Sequence, residues 1–294
     1  LAKTVNALND IQLKYAMAGY GIPFRFGFGA DEKNASQNIL NIGQGGLTLG
    51  QKEYYLDNDK ATADIREAYK KHIVRMFCLF GFNEKEAQAK MKSVIAIETA
   101  LAKVSKSQTE LRDVAANYNK MTLLQFKKNY PHFMIEQLAN SQGVKSEYIQ
   151  SLVVGQPSFL AGADKLFASL SASALRAYME WDAIMSAASY LSDEVEAANF
   201  DFFGRTMRGR LQDFPRWKRA TNQVEAQMGE ALGQIYVSKY FPQAAKERME
   251  KLVKNLQASL AERIKAQTWM SDTTKAAALD KLANFYVKIG YPNN

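Results

Sequence analysis

Two histidines and one cysteine in 294 residues leave little material for metal or thiol chemistry. A zinc site needs three or four nitrogen, sulfur or oxygen ligands converging on one point, and helical sites usually show a pair such as HExxH. His72 and His132 lie far apart in the sequence, with no acidic residue at ligand spacing beside either. Each is expected to serve at the surface or in packing. The lone cysteine, Cys78, sits in the apolar run IVRMFCLF, so no intrachain disulfide forms, and the expected role is that of a small buried hydrophobe whose thiolate is disfavoured. No GxSxG elbow is present, and carboxylate pairs such as Glu194/Glu196 or Asp57/Asp59 carry no mark of an acid–base couple. The residues therefore assign no catalytic group and no metal ligand.

Other shortages point to fold. Glycine (17) and proline (6) are sparse, while Ala, Leu, Lys, Glu and Gln dominate long stretches, a composition that favours helix. No segment approaches the roughly 20 uninterrupted apolar residues of a membrane helix. The net charge of +8 permits an anionic partner without requiring one, since the lysines are spread opposite apolar helix faces.

Helical spacing covers residues 3–18 and stops at Gly19-Tyr20-Gly21-Ile22-Pro23. The period then becomes two: Phe24, Phe26 and Phe28 alternate with Arg25 and Gly27, and 37–42 can return as a partner strand after the turn residues 31–34. A β-hairpin is expected over about 22–45. The stretch GQGGLTLGQKEYYL, 43–56, has glycines without the GxGxxG or GxxxxGK[ST] order that cradles phosphate, and reads as a loop passing close to other backbone.

Helices then follow one another from 59 to the end. The first ends at Gly81, and Asn83 with Glu86 forms a capping-box pattern for the next, which runs to about Val104. Further helices are expected at 122–129, 131–141, 157–169, 173–190, 193–204, 216–240, 243–266 and 272–287, with 146–155 as one more strand candidate. The fold class is mainly α, a multi-helix bundle-like lobe with a small β-hairpin near the N-terminus.

One basic cluster stands out. RTMRGRLQDFPRWKR, 205–219, holds Arg205, Arg208, Arg210, Arg216, Lys218 and Arg219 around Phe214 and Trp217. Basic residues among aromatics can bind phosphate and stack bases, but Gly209 and Pro215 break the segment, and such clusters often pair with acids of the same protein. Nucleic acid is not the expected partner.

Three stretches, GGLTLGQKEYYL (45–56), NYNKMTLLQF (117–126) and RWKRATNQVEAQMGEALGQIYVSKYF (216–241) with WMSDTTKAAALDKLANFYVKIGYP (269–292), resemble in order and spacing the neprilysin, endothelin-converting enzyme and bacterial PepO family of zinc endopeptidases. The resemblance is to the N-terminal helical lobe and covers nearly all of 1–294. It implies a two-lobed metalloendopeptidase of oligopeptides, in which this chain closes the substrate chamber and limits substrate size. The zinc, the HExxH and the downstream glutamate would belong to a catalytic lobe absent from this chain, so this chain alone is expected to be inactive.

The partners implied are that C-terminal catalytic lobe and peptide substrates. The resemblance also implies a bacterial, extracytoplasmic or cell-envelope setting. Within 45–53 it singles out Lys52 for substrate binding, a positive charge in a segment that in neprilysin supplies basic groups to a prime-side subsite; Gly46 stands where an arginine would be expected. Ala220 occupies a place where the animal enzymes carry a disulfide cysteine. A stand-alone helical interaction module using 205–219, or a degenerate peptide-binding scaffold, are the alternatives.

Overall fold

Alternation of rings and small residues in FRFGFGAD produces the first element of the computed structural model, which describes residues 22–292; the helix expected over 3–18 lies outside them. Strand β1 (Phe24–Asp31) pairs antiparallel with β2 (Asn34–Gln44). The hairpin turns tightly, so the return strand begins at Asn34 rather than at 37. Two further strands complete a four-stranded sheet of order β1-β2-β4-β3: β3 (Asn119–Thr122), which the sequence did not announce, and β4 (Ser151–Val154). β4 runs parallel to β2 and antiparallel to β3.

Most of the described chain outside the sheet is helical. A short α1 (Glu53–Leu56) precedes α2 (Lys60–Leu79), α3 (Glu84–Val104), α4 (Leu123–Asn129), α5 (Ile135–Ser141), α6 (Pro157–Ser169), α7 (Ala172–Ala187) and α8 (Asp193–Asn199). Local chemistry fixes many ends. Asp59 caps α2 through the Thr62 N–H, Gly81 takes a positive φ of 87° just beyond its end, and Asn83 with Glu86 completes both halves of the capping box on α3. Thr122 and Gln125 do the same for α4, and Pro157 opens α6 at its first position.

Several boundaries moved: the helix expected at 173–190 is α-helical over Ala172–Ala187, and of the strand candidate 146–155 only Ser151–Val154 is a strand. α5 begins at Ile135 rather than at 131; residues 131–132 form a turn in which the His132 N–H donates to the Asp164 carboxylate at 2.9 Å. The segment expected as helix 193–204 changes at Phe200 into a π-helical stretch, Phe200–Thr206, a form that costs hydrogen-bond geometry and is stabilised by tertiary contacts. The last helix stops at Ala283 rather than at 287.

The chain divides into two compact units, residues 1–213 and 214–294. The first has a complete core. One apolar cluster joins the sheet to α3, α4, α5, α6 and α7 around Leu40, Phe126, Phe159 and Leu152; a second joins α2, α3, α7 and α8 around Tyr69, Phe77 and Trp181. Helix α3 contributes Ile97 and Leu101 to one cluster and Val94 and Ala102 to the other, so it is the spine of the unit.

The second unit consists of α9 (Arg216–Tyr240, kinked at Met228), α10 (Gln243–Ala266) and α11 (Asp272–Ala283). Among all three helices only Lys246 is buried. Its Nζ donates to the Tyr291 carbonyl at 2.6 Å and lies 4.2 Å above the Tyr291 ring, and Phe241 meets that ring edge-on. The IGYP segment is thereby held against α9 and α10. No helix among the described residues is long and apolar enough to cross a membrane.

Candidate functional site

The segment 45–56 leaves β2 and crosses the first unit before turning into α1. Its two leading glycines answer to crowding. A Cβ on Gly45 would lie 3.1 Å from the Phe24 backbone; one on Gly46, where φ is +74°, would lie 2.6 Å from the Tyr178 hydroxyl. That hydroxyl donates to the Gly46 carbonyl at 3.1 Å. The loop does pass close to other backbone, and the arginine expected at position 46 has no room there.

Beneath the loop lies a polar hub that sequence reading missed. Glu98 of α3 has no exposed surface. Its Oε1 accepts from the Thr48 hydroxyl (2.5 Å) and N–H (3.3 Å), and its Oε2 from the hydroxyls of Tyr55 and Tyr69, both at 2.9 Å. The Trp181 indole N–H is shared between the Thr48 and Tyr69 oxygens at 3.1 and 3.0 Å, and the Leu49 N–H donates to Tyr55. Every member has a partner, which is the condition under which a buried polar cluster specifies one arrangement. Burial pushes the Glu98 carboxyl up to about 7 against the pull of its hydrogen bonds, and it drives the Tyr55 and Tyr69 hydroxyls well above their usual range. One signal was available: Glu98 falls on the apolar stripe of α3, with Val94 a turn before it and Leu101 a turn after.

Lys52 stands at the start of α1, about one quarter exposed, with its Nζ 3.6 Å from Glu110 Oε2. Glu110 is in turn held by the Ser107 N–H and hydroxyl, both at 2.7 Å, which lower its pKa, Lys52 adding to the effect. The 117–126 stretch steadies the same region. Asn117 donates to the carbonyls of Glu110 and Asp113 and accepts from Lys106 Nζ and Gln156 Nε2. Tyr118 and Lys120 both reach Asp31 at the hairpin end, at 2.7 Å, holding its carboxyl down at about 2. Two of the stretches that carried the family resemblance thus converge on Glu110, Lys52 at its carboxylate and Asn117 at its backbone carbonyl.

The remaining candidates are dispersed. Cys78 is exposed, contrary to expectation, because the tail of α2 turns that side of the helix outward. His72 is buried, stacked on Phe202 with ring centroids 5.0 Å apart and edge-on to Trp181 and Phe203; its Nε2 has no hydrogen-bond partner, and desolvation lowers its pKa to about 4. His132 is half exposed, its Nδ1 2.9 Å from Asp164. In the basic cluster, Arg205 pairs with Asp201, which also takes Arg75, and Arg210 pairs with Asp213; the two arginines lie over the Phe200 ring. Arg216, Lys218 and Arg219 belong to the second unit. Ala220 is exposed on α9. Among the described residues no three His, Cys, Asp or Glu side chains come together to hold a metal ion, so these side chains do not fit a zinc centre.

Such an arrangement, a glycine-containing loop lying over a buried polar hub among packed helices, defines a mainly helical domain. The sequence profile of peptidase family M13 matches residues 2–292, and the chain belongs to that family as its N-terminal domain, a domain of zinc metalloendopeptidases. It is 30% identical over 277 residues to the neutral endopeptidase of Lactobacillus helveticus, covering 94% of this chain and 42% of that protein. It is 28% identical to human endothelin-converting enzyme-like 1, with 90% and 34% covered. The crystal structure of the Mycobacterium tuberculosis zinc metalloprotease Zmp1 in complex with an inhibitor superposes with a TM-score of 0.91 at 31% identity, over all of this chain and 44% of that one. The chain spans less than half the length of each of these relatives.

Proposed function

We propose that the chain is the non-catalytic helical lobe of a zinc-dependent metalloendopeptidase, that it closes over a catalytic lobe carrying the metal, and that it limits the size of peptides admitted. The observation that carries this reading is the contrast between the two units. The first has two buried apolar clusters, whereas α9, α10 and α11 bury almost nothing. On α10, Met249, Leu252, Leu256 and Leu260 recur at helical spacing and are 43% to 61% exposed. An amphipathic stripe left uncovered from Met249 to Leu260 is what an interface looks like before its partner arrives.

In this reading the chain's own residues perform no bond-breaking step. Zinc, when bound in the other lobe, supplies the polarisation of the scissile carbonyl and of water. The helical lobe acts sterically and electrostatically, by excluding folded proteins, shedding bulk water on closure, and offering Lys52 to a peptide carboxylate.

The purified chain alone should carry far less than one zinc per molecule and turn over no peptide. Joined to, or co-expressed with, the C-terminal part of the Lactobacillus helveticus relative, it should give a complex with chelator-sensitive endopeptidase activity. The double variant Leu252→Glu/Leu256→Glu should abolish that assembly while leaving the melting temperature of the isolated chain unchanged. One zinc per isolated chain together with chelator-sensitive turnover overturns the reading.

A further inference from the structure

In residues 214–294 basic side chains outnumber acidic ones, yet a large cavity within that unit is lined by acids and by no base. It is an open hollow of about 610 Å³ between α9 and the IGYP segment, a volume in the range of ligand sites. Glu225 and Glu230 line it, and no lysine, arginine or histidine does. Both carboxylates are exposed, and neither makes a hydrogen bond or ion pair among the described residues. The rest of the wall is largely apolar and aromatic, with Leu232, Tyr236 and Phe241 on one side and Tyr291 and Pro292 on the other.

Gly229 and Gly233, one turn apart on α9, keep the helical wall low. Glycine weakens a helix interior, and neither residue has a left-handed φ. Outside the helix's own backbone, a Cβ on either would meet nothing within 4 Å. Packing inside the unit gives no reason for them; the room they leave opens into the cavity. Lys246, the buried cation of these helices, does not supply the charge missing there: its Nζ is engaged with the Tyr291 carbonyl at 2.6 Å and with the Tyr291 ring.

From charge complementarity we infer that this cavity is a docking site for a lysine or arginine side chain carried by an apolar segment of the catalytic lobe. Each part of the site answers to a part of that ligand. The two unpaired carboxylates offer charge-assisted hydrogen bonds to the cationic head, and the Tyr236 ring attracts the same charge. The apolar walls cover the methylene stem and its neighbours. Continuity points to the bearer of that side chain: Lys246 ties the start of α10 to Tyr291 of the cavity wall, and the uncovered stripe begins at Met249, three residues further along the same helix. A partner lying on the stripe therefore comes up to the cavity. The choice of the catalytic lobe rests on the function proposed above; the cationic class of the ligand rests on the cavity alone.

The first test uses the isolated chain and two fluorescein-labelled, amidated peptides, one with a single lysine between leucines and its twin with glutamine in that place. Fluorescence anisotropy at low salt should show the lysine peptide binding about tenfold more tightly, a preference that added salt reduces. Glu225→Gln/Glu230→Gln should remove the preference and leave the twin unchanged. Gly233→Leu should fill the cavity and abolish binding while the melting temperature is retained or raised, since leucine is the better helix former. Equal affinity for the two peptides, no binding, a preference that survives the double variant, or binding that survives Gly233→Leu overturns the site. The second test identifies the occupant: in assembly with the C-terminal part of the Lactobacillus helveticus relative, Glu225→Gln/Glu230→Gln should weaken association about tenfold. Unchanged association, or a light-scattering dimer of the isolated chain that the double variant dissolves, overturns the catalytic lobe as the occupant. Failure of the unsubstituted chain to assemble counts against the proposed function instead, and the peptide measurements, which involve no second lobe, are read separately from it.

Discussion

The Tyr69 hydroxyl gives its proton to Glu98 at 2.9 Å while accepting the Trp181 indole N–H at 3.0 Å. Helices α2, α3 and α7 are therefore fastened through one oxygen under the loop that bears Lys52. Tyr69→Phe leaves Glu98 Oε2 with Tyr55 and the indole with Thr48, so it should cost about 1 kcal/mol. Glu98→Leu strands the Thr48, Tyr55 and Tyr69 donors in a dry interior and should cost upwards of about 3 kcal/mol. Urea unfolding of the three proteins should show that order, and equal stabilities would mean that the hub does not hold the helices together.

Two buried groups oppose each other in pH. Glu98 titrates near 7 when folded against 4.5 unfolded, so its stabilising share is present below 4.5 and lost as pH rises to 7. His72 titrates near 4 when folded against 6.5 unfolded; its share is present above 6.5 and lost as pH falls to 4. Each shift corresponds to roughly 3 kcal/mol, and between pH 4.5 and 6.5 the two nearly cancel. His72→Phe should expose the Glu98 slope, with stability falling as pH rises, and Glu98→Gln the His72 slope of opposite sign. Denaturation midpoints from pH 4 to 7.5 measure both, and two variants sloping the same way would contradict the assignment.

Restoring the arginine of the family pattern should damage this protein. At Gly46 the backbone is left-handed and a Cβ would lie 2.6 Å from the Tyr178 hydroxyl, with Leu101 and Pro23 at 3.0 Å. Gly46→Arg should cost about 2 kcal/mol or more, from strain and a displaced hydrogen bond together. Gly46→Ala should carry most of that penalty, since the first carbon already collides. A melting temperature unchanged in both would show that the loop relaxes freely.

Lys52 is a partly exposed ion-pair member, so Lys52→Met should change stability by less than about 1 kcal/mol. In the proposed function its effect is on substrate. In the reconstituted enzyme the substitution should raise KM for peptides with a free carboxylate several-fold, with little change for amides or in kcat. An identical KM for both peptide forms in both proteins would remove Lys52 from substrate binding.

The exposed stripe on α10 is accessible in the isolated chain. With α9 to α11 uncovered, it should bind the hydrophobic dye ANS, and assembly with a catalytic lobe should lower that fluorescence. Leu252→Glu/Leu256→Glu should lower it without assembly; strong dye binding that survives the double variant places the apolar surface elsewhere.

What the sequence determined by itself was local: the period-two hairpin, the caps at Asp59, Asn83/Glu86 and Thr122/Gln125, the stop at Gly81, and long helices whose limits at 157–169, 216–240 and 243–266 follow from proline and spacing. The caps and stops depend on groups within about four residues of one another and the hairpin on one short turn, so a short stretch of sequence contains each of them. The family was legible for a similar reason, because its marks are contiguous stretches. Tertiary structure decided the rest. β3 is four residues with no pattern of their own and exists only because β4 offers it a partner. His72 is buried because Phe202, remote in sequence, stacks on it, and Cys78 is exposed because nothing covers its side of α2. Lys52 meets Glu110, and Glu98 collects Thr48, Tyr55 and Tyr69, across separations of 29 to 58 residues, and pairs so distant are chosen by the packing of whole helices, which no window of sequence contains.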